Sequence, residues 1–111
     1  MIYLASPYSH ESPIIRTLRF MQTREYVSTW LRHGVPLFSP IVYCHQFVDM
    51  GFGTSAEAWH DFNYEIAQRA GALWVLKLEG WKSSRGVAEE IDWFTMRGIS
   101  PKYKEVSPWR E

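Results

Sequence analysis

Three short, largely apolar runs, at residues 1–5 (MIYLA), 35–40 (VPLFSP) and 72–78 (ALWVLKL), and a last short strand candidate at 99–103 (ISPKY) are separated by stretches that carry helical spacing or helix start and stop signals. Short apolar runs bounded by turn formers read as strands. Strand, helix, strand, helix, strand, helix, strand is the order of a parallel sheet, because parallel neighbours need a crossover connection and a helix is the usual one. The expectation is one α/β domain over residues 1–111, a parallel sheet of four or five strands with helices on both faces.

The local signals place the helices. Ser12 before Pro13 is an N-cap followed by a residue pre-set for the first helical turn, and Ile14, Leu18, Met21, Val27, Trp30 and Leu31 fall roughly on one face before Gly34. Pro36 puts the start of the second strand at an edge or irregular position. Residues 41–54 show no usable pattern and read as loop. Ser55 is the expected cap of a second helix over 56–69, and a third runs over 87–96 until Gly98. Ligands of such sheets bind beyond the carboxyl ends of the strands, where the loops 6–12 and 79–86 fall.

Composition excludes several classes of function. Twelve basic and twelve acidic side chains cancel, so there is no one-signed field to track a nucleic-acid backbone, and a polymeric nucleic-acid partner is not expected. The single cysteine, Cys44, cannot form an intramolecular disulfide, and MIYLAS lacks the regions of a signal peptide, so a cytoplasmic location is expected. No apolar run approaches the roughly 18 residues that cross a bilayer, and no membrane partner is expected. His10, His33, His45 and His60 have no metal-site spacing, so no metal is expected; the His60–Asp61 pair lacks the further ligands of a phosphohydrolase. Six tryptophans in a chain that is 16% aromatic exceed what one small core needs, which leaves some for a pocket or an oligomer interface.

The chemistry concentrates in EGWKSSRGVAEEIDWF, residues 79–94. The backbone N–H groups around Ser84 to Val87 open a helix and suit an anion, although Ser84 as a plain N-cap explains the same residues. Glu89 and Glu90 project about 100° apart on that helix, so one faces solvent and the other the sheet. Glu90, four residues after Gly86, is the expected inward one, because its side chain leans back toward the glycine turn. A carboxylate so held can attack an anomeric carbon and form a glycosyl ester, which needs no cofactor, and Tyr3 on the first strand is available to hold it in line. Arg16 and Arg19 follow the first loop and are within reach of a phosphate or are plain surface residues. Trp81 offers a flat ring to stack on a base, or packs over the helix start. Cys44 reads as a small apolar residue.

IYLASPYS and GWKSSRGVAEEI are the stretches by which the chain resembles the nucleoside 2-deoxyribosyltransferase-like superfamily, and within it the DUF1937 family. That family's pattern of YLASPYSH, an arginine-containing helix, a strand ending in FSP, and GW followed by SxGVxxEI is matched over about residues 1–103. The resemblance implies a flavodoxin-like, Rossmann-like fold and cleavage of the base–sugar bond of a deoxynucleoside or its 5′-monophosphate, with a homo-oligomer, most simply a dimer. It makes Glu90 the nucleophile and Tyr3 the group that orients it, with Ser84 and Gly86 at the 5′ end and Ser6, Pro7 and Tyr8 of the first loop beside the substrate. Deoxyribosyltransferases have an aspartate in place of Ser84, so the chain looks more like the monophosphate N-hydrolases. Asn63 stands where the superfamily has the aspartate that binds the sugar and protonates the departing base, and Gly71 replaces a second aspartate. An amide bonds a hydroxyl but delivers no proton as a carboxylic acid does. The alternatives are a nucleotide-binding module without turnover, marked by Asn63 and Gly71, and a small oligomeric scaffold whose aromatics serve protein contacts.

Overall fold

In the computed structural model, which describes residues 1–51 and 59–106, the first apolar run forms β1 (Ile2–Ala5) in the interior of the sheet. On one side it pairs with β2 (Leu37–Phe38); on the other lies β3 (Ala72–Leu76), followed by β4 (Lys102–Lys104). Among the described residues the sheet is four-stranded in the order β2-β1-β3-β4, with every pair parallel, and Tyr3 sits level with both Phe38 and Leu73. The chain moves outward from β1 to β2 and then crosses back to β3. The connections leaving β1 and β3 therefore diverge, and a crevice opens between their carboxyl ends.

Among the described residues four α-helices accompany the sheet: α1 (Pro13–Arg32), α2 (Pro40–Cys44), α3 (His60–Arg69) and α4 (Arg85–Thr95). Successive strand residues alternate between the faces. Leu4, Trp74 and Leu76 pack against Tyr26 and Val27 of α1, whereas Tyr3, Ala5, Leu73 and Val75 pack against Ala67 of α3 and Val87 and Phe94 of α4. The chain is the doubly covered, flavodoxin-like α/β domain expected from the strand and helix order. Among the described residues no helix is long and apolar enough to cross a membrane.

Three local expectations need correction. Ile14, Leu18, Met21 and Leu31 lie exposed on α1, and its buried residues are Thr23, Tyr26 and Val27. The Thr23 hydroxyl donates to the Arg19 carbonyl at 2.8 Å inside its own helix, so a polar side chain occupies a core position at little cost and the apolar spacing misses it. Of the stretch 41–54, residues 41–51 are not plain loop: α2 is followed by a 3-10 segment, His45–Met50, ended by Gly51 at φ 88°, and residues 52–54 lie outside the described residues. Ser39 caps α2 by accepting from the Val42 N–H at 3.2 Å, with Pro40 at the first helical position, the same Ser-Pro opening that marks α1. Five residues are too few to show a period. The expected helix over 56–69 is described from His60 onward, and its proposed cap, Ser55, lies outside the described residues.

Arg19 ties together the two loops at the carboxyl ends of the strands. Its guanidinium donates to the carbonyls of Tyr8 (3.4 Å) and Ser9 (3.0 Å) after β1, and of Glu79 (3.3 Å) after β3. Gly80 follows with φ +91°, and a Cβ there would lie 2.7 Å from Arg19 Nη2. Gly80→Ala should therefore cost the backbone penalty of a left-handed alanine, about 1–2 kcal/mol, and displace the guanidinium as well. Gly98 has φ +79° with open space around it, so Gly98→Ala should show the backbone part alone. Urea unfolding of the two variants checks this: the Gly80 variant is expected to be the less stable.

Candidate functional site

The crevice holds a cavity of about 620 Å³, inside the roughly 300–1,000 Å³ range of small-molecule sites. Its walls come from the loop after β1 (Ser6, Tyr8, Ser9), from α2 and the segment after it, from α3 (His60, Asn63), and from the opening of α4. The two loops expected to meet a ligand do converge there.

Glu90 forms the floor, with Tyr3 buried behind it. Glu90, on the second turn of α4, is 8% exposed and lines the cavity. Tyr3, fully buried on β1, donates its hydroxyl to Glu90 Oε2. Phe94, one turn further along α4, packs against the Tyr3 ring with centroids 5.5 Å apart and holds it from the side. Burial dominates the electrostatics. It pushes the Glu90 carboxyl up to about 8, with the Tyr3 hydrogen bond opposing and the Glu89 charge adding. Burial, then the charge and hydrogen bond of Glu90, drive the Tyr3 hydroxyl far above its ordinary value, so it stays a donor. Burial and next Glu90 push the Cys44 thiol up to about 12, which leaves it protonated and unsuited to nucleophilic attack.

At the mouth, Ser84 and Gly86 line the cavity where α4 begins. The Ser84 hydroxyl accepts from the Val87 N–H at 3.2 Å, so it is the helix cap, while the remaining first-turn amides face the cavity end. Glu89 is the partly exposed member of the pair, as its place on the helix predicts. It is not merely solvated: its Oε1 meets His60 Nε2 at 3.1 Å, and Asp61 meets the other ring nitrogen at 3.0 Å. The hydrogen bond that Asp61 accepts leads the forces that raise the pKa of His60.

The remaining expected site residues divide. Ser6, Tyr8 and Asn63 line the cavity. The Asn63 Oδ1 is buried with no hydrogen-bond partner among the described residues, an acceptor left for a ligand hydroxyl or amine. Pro7 is fully buried and lies off the cavity wall. Trp81 is also away from it: its ring packs on Tyr103 at 5.3 Å and against the core beside α4, over a separate shallow depression formed by residues 77–83. The flat ring serves packing, because the 3-10 turn Trp81–Ser83 directs it toward β4. Arg19 commits its donors to carbonyls, and Arg16 donates to the His10 carbonyl. His10 accepts from the Ser12 N–H at 2.9 Å and pins the loop. Asp61 points to solvent and so does not replace the carboxylic acid missing at Asn63. Among the described residues no three metal-binding side chains gather. Sequence reasoning missed His45, which lines the cavity from the segment read as loop; the Ser39-Pro40 cap was the available signal.

The folded protein holds the Glu90 proton more tightly than an unfolded chain does. The carboxyl therefore contributes stability that is complete below the usual carboxylate range and lost as pH rises through about 8. The melting temperature of the native protein is expected to fall between pH 5 and pH 9. In Glu90→Gln, which accepts the Tyr3 hydrogen bond but has no charge to bury, it should fall less, by several degrees in calorimetry.

No curated protein matches the sequence. The family described as Domain of unknown function (DUF1937) matches residues 1–105, which include every described residue that lines the cavity, and the chain belongs to that family.

Proposed function

We propose that the protein is an N-glycosidase of the nucleoside 2-deoxyribosyltransferase-like kind, cleaving the base–sugar bond of a nucleoside or its 5′-monophosphate with retention. The observation that carries this reading is the Tyr3–Glu90 pair, a carboxyl buried on the floor of a cavity of nucleotide size and held by a hydroxyl from the central strand. Ionised, Glu90 attacks C1′ through Oε1 while Tyr3 holds Oε2, the base leaves with the electron pair of the broken bond, and water or a second base resolves the glycosyl ester. Ser84, Gly86 and the first-turn amides of α4 hold the 5′ end, by the attraction of a helix N-terminus for an anion. Asn63 offers its unpartnered oxygen to a sugar hydroxyl. The family resemblance extends the reading to a dimer.

Asn63 also favours a second reading, a module that binds a nucleotide without turning it over, because an amide protonates no leaving group. Chromatographic detection of free base separates the two, using deoxynucleosides, ribonucleosides and their 5′-monophosphates as candidate substrates. Base release that falls roughly 10³-fold or more in Glu90→Gln supports the enzyme. Nucleotide binding without release from any compound supports the module.

The raised pKa of Glu90 adds a pH signature. Attack requires the carboxylate, so kcat/KM should climb with pH and reach half its plateau near 8. The Tyr3 hydrogen bond works to lower that pKa, so Tyr3→Phe is expected to move the midpoint higher. A midpoint that stays in place in the variant would argue against Glu90 as the titrating group.

A further inference from the structure

With Asn63 in the cavity wall and Asp61 turned to solvent, the departing base needs another proton donor, and the segment after α2 supplies one. His45 lines the cavity. Its ring is fixed on two sides: Phe20 of α1 stacks on it at 4.1 Å and 16°, and Tyr8 meets it edge-on at 5.5 Å and 82°. The Tyr8 hydroxyl lies 2.7 Å from His45 Nδ1.

Which nitrogen carries the hydrogen follows from the neighbours. Burial raises the pKa of the Tyr8 hydroxyl, with the Arg16 guanidinium working against it, so the hydroxyl keeps its hydrogen. A guanidinium has no acceptor to offer, so the hydroxyl's own hydrogen is directed to His45 Nδ1. Burial, opposed by the Asp49 charge and aided by that of Arg16, lowers the pKa of His45 and favours the neutral ring. A neutral imidazole that accepts at Nδ1 carries its hydrogen on Nε2.

We propose that His45 is the proton donor to the departing base, held in the required tautomer by Tyr8 and Arg16 as positioning residues. The proposal rests on the glycosidase reading of the same cavity. As the C1′–N bond breaks, its electron pair goes to the base and the Nε2 proton passes to a base nitrogen or oxygen. The Tyr8 proton shifts to Nδ1 as the Nε2 proton leaves, and the Arg16 charge offsets part of the cost that burial places on the oxygen left behind. When water attacks the Glu90 ester, one proton of that water returns along the same chain, so the protein ends as it began.

The test varies the base rather than the protein alone. The 5′-monophosphates of deoxyguanosine and 7-methyldeoxyguanosine form one pair, and those of thymidine and 5-fluorodeoxyuridine the other. The second base of each pair departs more easily, 7-methylguanine needing no proton at all. His45→Gln should lose about 10²-fold or more on the poor leaving group and little on the good one. Tyr8→Phe should show the same selectivity with a smaller loss. Melting curves of both variants verify the fold. Equal losses on both members of a pair would overturn the proposal and leave His45 a role in binding or packing, with the glycosidase reading intact. No base release by the native protein from any of the four, or from the wider set of nucleosides and 5′-monophosphates, would overturn the glycosidase reading, and this proposal with it.

Discussion

The hydrogen bond from Tyr3 to Glu90 joins the central strand to α4 through the interior of the protein, between residues 87 apart in the chain. A carboxyl at that depth is costly when charged and is tolerated because burial keeps its proton on and the tyrosine satisfies one oxygen. The partner fits only if Tyr3 is in register with Phe38 and Leu73 and if α4 lies on that face of the sheet. The pair is thus a consequence of the whole fold, and it places the reactive candidate where the strand order opens a crevice. A solvent-exposed glutamate at the same helical position would keep an ordinary acidity and would have no cavity to work in.

Around this floor the fold assigns separate tasks to residues that look alike in the sequence. Arg16 and Arg19 are one turn apart on α1; Arg19 fastens two loops to each other, whereas Arg16 faces the Tyr8 hydroxyl and the His10 carbonyl. Glu89 and Glu90 are adjacent; one pairs with His60 at the rim and the other is buried. Both arginines spend donors on carbonyls of their own protein, and the anion-favouring features of the cavity are the opening backbone of α4 and Arg85, which lines the wall between Ser84 and Gly86. A helix terminus delivers partial positive charge without a flexible side chain to order, which suits a small pocket.

The legibility of each feature follows the range of the interaction behind it. β1, β3 and the course of α1 and α4 are readable because apolar runs between turn formers, Ser at helix starts and terminating glycines act within a few residues. Glu90 as the inward glutamate was readable for the same reason, since its offset from Gly86 fixes its direction on the helix. The buried stripe of α1 was misread because Thr23 satisfies its hydroxyl within the helix, and α2 was missed because it is shorter than the period that would reveal it. Of the two readings of Trp81 the packing one holds, and the sequence does not decide between them because its partner, Tyr103, comes from the last strand and is invisible locally.

The sequence by itself determined the α/β class, the parallel order of strands and the helix terminus that carries Glu90, because alternation, capping and turn chemistry are short-range constraints. Only the tertiary structure decided which of those residues meet. Tyr3 with Glu90, Arg19 with Glu79 and Tyr8 with His45 are joined across 87, 60 and 37 residues. Burial, which moves the acidity of Glu90 and His45 in opposite directions on the proton scale, exists only once the sheet and its covering helices have closed over them.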